Sequence, residues 1–133
     1  MLAGVGVAYR LAEALLTVAN GTDRRKPGVL SEALLDLVAT GTVADLAPLN
    51  RLENRILVRR GLEVLNRAQR PGVQALYDVA GLKAGSINAT NIGFALGPRI
   101  NAAGRLESAM VAYDLLQSTI HSRHYSGRNN CKR

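Results

Sequence analysis

The chain has 133 residues, 47% hydrophobic and 20% charged, enough for one ordinary core or pieces of two smaller ones, which excludes disorder throughout. No apolar run is long enough to span a membrane, the first apolar stretch is interrupted by Arg10 and Glu13, and the lone Cys131 excludes an internal disulfide, so a reducing, cytoplasmic setting is expected. Seventeen Lys and Arg against ten Asp and Glu leave a net charge of +7, and fourteen of the cations are Arg, whose guanidinium grips phosphate through two parallel hydrogen bonds. A polyanionic partner fits this balance, whereas five aromatic residues are too few for a base-stacking platform.

Residues 2–19 are rich in Leu, Ala and Val and predict a buried helix ended by the cap-like pair Asn20-Gly21. A basic loop follows over 23–28. Ser31 is the expected N-cap of a short apolar helix through Ala39, with Gly41 as its stop and a loop to Pro48. Asn50 with Glu53 three positions on forms a capping-box-like start, and Val58, Leu62 and Leu65 recur at helical spacing to about Ala68. On that helix Arg51, Arg55 and Arg59 stand four apart, which aligns three guanidiniums along one side, with Glu63 a turn beyond. Arg70-Pro71-Gly72 breaks the chain and restarts a helix that stops at Gly81. After a Gly/Ser/Asn-rich joint over 85–91, the Gly97-Pro98 step predicts a turn, and Leu106, Ala109, Met110, Tyr113 and Leu116 give an apolar face to a last helix. From His121 the chain reads as a polar tail, in which His121, His124 and Cys131 are too unevenly spaced for a zinc site. The expected architecture is mainly α.

Residues 36–49, DLVATGTVADLAPL, with 54–58, NRILV, close behind, resemble the fourth motif of RecJ-type exonucleases of the DHH phosphoesterase superfamily. Residues 93–105, GFALGPRINAAGR, are similar to the stretch those enzymes carry where their second domain begins, and GVGVA at 4–8 resembles an upstream helix of the same family. The resemblance covers about residues 2–117 in matching order. It implies an internal piece of a larger enzyme: residues 1–49 the end of an α/β DHH catalytic domain, 50–68 a linker helix, 69–120 the start of a second domain, and 121–133 a tail that no longer resembles the family.

The implied activity is removal of nucleotides from single-stranded DNA in the 5′ to 3′ direction, in repair or recombination, with two Mn²⁺ or Mg²⁺ ions activating water and stabilising the in-line transition state. Single-stranded DNA and other repair proteins are the implied partners. Asp45 aligns with a metal-binding aspartate of the family motif and is the candidate catalytic and metal residue, while Asp36 is as well suited to capping or pairing inside its helix. Arg99, Asn101 and Arg105 are the candidate DNA-phosphate contacts, expected where a turn opens the N-terminus of a helix. There Asn101 is equally suited to capping and the arginines to pairing across the domain junction. The family's Asp-x-Asp, second Asp and Asp-His-His ligands are absent from this chain, so the chain alone is expected to be inactive. Two other readings stand beside this one: a phosphodiesterase of the same superfamily acting on short oligoribonucleotides or cyclic dinucleotides, and a non-catalytic helical module that binds DNA or protein.

Overall fold

In a computed structural model, residues 1–19, 29–67, 69–106 and 109–117 are described, and the expectations for Asn20-Gly21, the 23–28 loop and the tail from His121 fall outside them. Within the described residues every element is a helix: α1 Gly4–Ala19, α2 Val29–Ala33, α3 Leu35–Ala44, α4 Leu52–Arg67, α5 Pro71–Ala80, α6 Ala89–Asn91, a π-helical turn Ile92–Leu96, α7 Gly97–Leu106 and α8 Ala109–Gln117. The mainly helical expectation holds for them.

Composition explains why α3 is the centre. Its sequence LDLVATGTVA carries Ala, Thr and Gly between apolar residues, and small side chains let neighbouring helices approach closely. A Cβ added at Gly61 of α4 would lie 2.2 Å from the Leu35 carbonyl oxygen and 2.5 Å from Ala39 Cβ, so the two helices meet where Gly61 offers no side chain. On another side a Cβ at Gly41 would lie 2.8 Å from Val5 Cγ1 of α1, and Gly97 of α7 sits against Ala44. Two apolar clusters then form on the flanks of α3. One joins Tyr9, Leu35, Val38 and Leu57. The larger joins Ala39 to Leu65, Val73, Leu76, Tyr77, Ile87, Ile92 and Leu96, with Leu115 and Leu116 of α8 packed against it.

Buried polar groups fasten these layers. Asp36 of α3 accepts the Leu37 N–H and, on its other oxygen, the Arg70 Nε. Arg70 also donates to the Ala33 carbonyl at 2.8 Å and the Leu116 carbonyl at 3.4 Å. Asn66 exchanges hydrogen bonds with the Ile87 backbone, 2.9 and 2.7 Å, and holds the 82–88 connection against α4. Tyr77 donates to the Leu65 carbonyl at 2.9 Å. Asn54 donates to the carbonyls of Pro48 and Met1, but its Oδ1 is buried with no partner among the described residues, a group whose desolvation costs about 1–3 kcal/mol.

Several expected boundaries move, each for a physical reason. Gly41 does not stop its helix: α3 runs to Ala44, because Gly41 makes room for Val5 rather than a turn. Ser31 lies buried inside α2, beside Tyr9, and is no N-cap. α4 begins at Leu52, so Arg51 takes the cap position expected of Asn50. The turn expected at Gly97-Pro98 is absent. The helical run continues through it, because Pro98 has no N–H to place and the preceding turn is widened to the π form, with the Gly97 N–H bonded to the Ile92 carbonyl. The α1 expected to be buried keeps Val7, Leu11, Leu15 and Val18 in the open. On α8 the side packed against the core is Leu115 and Leu116, both partly buried, while Met110 and Tyr113 are exposed. By contrast Pro71 opens α5 and Gly81, at φ 66°, ends it as the sequence predicts.

Two stability measurements follow. Removing either partner of the Asp36–Arg70 pair strands a charge in a largely buried setting and should cost about 3–5 kcal/mol, whereas the double change Asp36→Leu/Arg70→Met should cost less than either single change. Thermal unfolding of the three variants checks this, and additive losses would show that the two groups are not coupled. Burial, aided by the negative charge of Asp36, pushes the Tyr77 hydroxyl up to about 12. Since the unfolded value is about 10, this stabilisation is complete below pH 10 and disappears as pH rises towards the folded value, a fall of roughly 2–3 kcal/mol. Denaturant titrations from pH 9 to 12 should show the decline in the native chain and a flatter one in Tyr77→Phe.

Candidate functional site

α3 ends in a tight C-terminal motif that presents Asp45. The Asp45 N–H donates to the Gly41 carbonyl, 2.9 Å, the Leu46 N–H to Val43, 3.1 Å, and the Ala47 N–H to Thr42, 3.1 Å. The last two bonds make a Schellman cap, which requires a left-handed residue where Leu46 stands, and Leu46 takes φ 54°. Glycine is the usual occupant. A leucine there costs about 1–2 kcal/mol, and its side chain, 87% exposed, recovers nothing by packing. Asp45 is itself exposed at the negative end of the helix, where a carboxylate is electrostatically unfavourable and a cation is favoured. Stability does not explain an acid in that place.

Asp36, one candidate for pairing inside the helix, does pair: it is buried, with both oxygens engaged by Leu37 and Arg70. Among the described residues no three Asp, Glu, His or Cys side chains stand together to hold a metal ion. These residues alone do not fit a two-ion cluster.

Arg99, Asn101 and Arg105 all lie on α7 and all are exposed. Asn101 and Arg105 are four apart and share a side, whereas Arg99 points roughly 120° away from Arg105. The free helix N-terminus expected beside them is not there. Their helix continues from α6 and the π turn, and the N-terminus of that run is capped at Asn88, whose side chain and that of Asn91 each accept the other's N–H at 3.0 Å. Asn101 therefore sits inside a helix and caps nothing. Arg99 folds back to donate to the Ala95 carbonyl at 2.8 Å, within the π turn.

On α4 the stripe of Arg51, Arg55 and Arg59 is exposed, and no acidic group of the described residues stands within ion-pair distance of it. Other arginines are paired: Arg10 with Glu13 and Glu53, Arg60 with Glu32.

Comparison with protein-family models gives no match. Comparison with curated proteins gives the single-stranded-DNA-specific exonuclease RecJ of Bacillus subtilis, 47% identical over 117 residues, which is 88% of this chain and 13% of that protein. RecJ of Escherichia coli is 48% identical over 120 residues, 86% of this chain and 21% of its own length. RecJ of Haemophilus influenzae is 41% identical, again over 86% of this chain and 20% of its own. The chain belongs to the RecJ family. It spans about an eighth to a fifth of the length of these relatives.

Within this RecJ stretch, sequence reasoning left three polar residues without a role. Asn54 falls on the apolar side of α4 with Leu57, Val58, Gly61 and Leu65, and a polar residue at a core position is a legible sign of a buried hydrogen bond. Arg70 and Asn66 gave no such sign, because their partners are 34 and 21 residues away.

Leu46→Gly should stabilise the chain by about 0.5–1 kcal/mol, the relief of the left-handed leucine less the added freedom of glycine in the unfolded state. A raised melting temperature checks it. A lowered one would show that the exposed leucine is held by something the backbone geometry does not reveal.

Proposed function

We propose that this chain is a working part of a RecJ-type exonuclease that hydrolyses single-stranded DNA from the 5′ end, in DNA repair or recombination in the cytoplasm. The observation that carries the reading is the 41–48% identity of most of the chain to proteins named single-stranded-DNA-specific exonucleases. The net charge of +7 and its arginine bias support a polyanionic substrate.

In this reading residues 1–49 close the catalytic DHH domain, 50–68 form the linker helix and 69–120 open the second domain. Asp45 supplies one carboxylate to a Mn²⁺ or Mg²⁺ pair whose other ligands come from the rest of the full-length protein. The ions, when bound, supply water activation and charge neutralisation at the phosphorus. Asp45 holds its carboxylate outward at the negative end of α3, a position that favours a cation. Arg99 and Arg105 are proposed to neutralise backbone phosphates, with Asn101 donating beside Arg105; this role now rests on guanidinium charge and exposure, not on a helix N-terminus.

A chimera in which this chain replaces the matching stretch of the Escherichia coli relative tests the reading. It should release nucleotides from labelled single strands with Mn²⁺. Asp45→Ala in it should reduce turnover by more than the roughly 10–100-fold typical of losing an outer-sphere group, with DNA affinity little changed. The 133-residue chain alone should release none. Equal losses of turnover and affinity in Asp45→Ala would make Asp45 structural, and nuclease activity of the isolated chain would overturn the shared-site reading.

A further inference from the structure

Among the described residues, the arginine stripe of α4 is a strongly charged patch that neither the core nor the candidate site uses. The buried side of α4 is set by Asn54, Leu57, Val58, Gly61 and Leu65. Arg51, Arg55 and Arg59 run along one flank of that side, four residues and therefore about 6 Å apart from one to the next. Although Arg51 precedes the first residue of α4, its carbonyl accepts the Arg55 N–H at 3.0 Å, so all three follow the helical ladder. The opposite flank is electrically satisfied, with Arg60 on Glu32 and Arg10 on Glu53. Arg67, two turns beyond Arg59, is the other exposed cation of α4 with no acidic partner among the described residues, and Glu63 separates it from the row.

Two further observations give the patch a direction and a ligand. Next to the stripe, on the outermost line of α4, Leu52 and Ile56 are 72% and 47% exposed. A row of cations beside a row of exposed aliphatic side chains complements a ligand that is anionic along one edge and apolar along the other. Glu63, a turn beyond Arg59, puts a negative charge at the end of the row, and Asn66, seven residues beyond Arg59 and so on nearly the same line, anchors the 82–88 connection across it. The patch is thus bounded after three cations.

We propose that this side of α4 is a track for single-stranded nucleic acid: Arg51, Arg55 and Arg59 hold successive phosphates, and Leu52 and Ile56 lie under the bases. The inference rests on the reading above for its substrate class and deepens it by naming a second contact surface. A duplex could meet the phosphate row but not the apolar row, since its bases are stacked inside. The track therefore prefers single strands. Phosphate contacts alone would confer no base-sequence preference.

The test uses the 133-residue chain and fluorescent oligothymidylate, with anisotropy followed through a salt titration. Arg51→Gln/Arg55→Gln/Arg59→Gln should lower the slope of log affinity against log salt by about 2, three contacts at about 0.7 each. Arg10→Gln/Arg60→Gln/Lys83→Gln removes the same charge from positions off the row and should leave the slope within experimental error. Leu52→Gln/Ile56→Gln should keep the slope and reduce the preference for a single strand over a duplex of equal length. Circular dichroism establishes that each variant remains helical. The track is overturned if the native chain fails to bind the oligonucleotide, if both triple variants lose slope equally, or if the apolar double variant leaves the strand preference intact. The chimera separates this from the parent reading: a chimera that cuts DNA while the track variants bind normally removes the track alone, and an inactive chimera with track-dependent binding removes the exonuclease reading alone.

Discussion

Arg70 makes one ion pair on which the arrangement of the helices turns. Its guanidinium meets the Asp36 carboxylate of α3 while donating to the carbonyls of Ala33, at the end of α2, and Leu116, in α8. Three pieces of chain that are far apart in sequence, around residues 33–36, 70 and 116, are held by one planar group whose donors diverge in fixed directions. Asp36 would be an isolated buried charge without it, and the Ala33 carbonyl would lose its donor at a helix end. Tyr77 feels the same charge, which raises the cost of ionising its hydroxyl. The segment before α5 is therefore tied to α3 by electrostatics before any apolar contact is counted.

Backbone proximity is the second constraint, and it is set by what α3 and its neighbours lack. Gly41, Gly61 and Gly97 each stand where a neighbouring helix comes within contact of the space a side chain would fill. At Gly61 the obstacle is a carbonyl oxygen and an alanine on a packed helix, neither of which can rotate away. Glycine inside an exposed helix ordinarily weakens it by about 1 kcal/mol relative to alanine, so these positions forgo local helix stability in exchange for close packing. The same packing places the C-terminus of α3, and so Asp45, relative to α4.

Charge is distributed along the fold with some economy. Arg60 is matched by Glu32 and Arg10 by Glu53, the cations of the 51–59 stripe are not matched, and the acid at the end of α3 stands where a helix disfavours acids. Leu46 in a left-handed conformation sits next to that acid. Strain and unmatched charge on exposed positions have no stabilising purpose in the chain, and both occur along the stretch from Asp45 to Arg59. That stretch is where the resemblance to RecJ motifs is densest.

Local signals were enough for much of this. The helical period, the Pro71 start and the Gly81 stop predict α5, and Val58, Leu62 and Leu65 predict α4, because each depends on residues within a few positions of one another. The motifs at 36–49 and 93–105 carried the family, since they are short stretches read directly from residue types. The sequence could not by itself say what a glycine was for: Gly41 looks like a stop and is a point of contact with Val5, which lies 36 residues earlier. Nor could it say that Pro98 would be absorbed by a π turn, leaving Arg99, Asn101 and Arg105 inside a continuous helix with no free N-terminus. Asp36 was equally open between capping and pairing until the fold brought Arg70 to it from 34 residues away. Residue type and spacing determined the helices, the charge and the family. Only the tertiary structure decided which polar groups are buried, which small residues are contacts and which arginines are left without a partner, because each of those depends on what a distant part of the chain brings within a few ångströms.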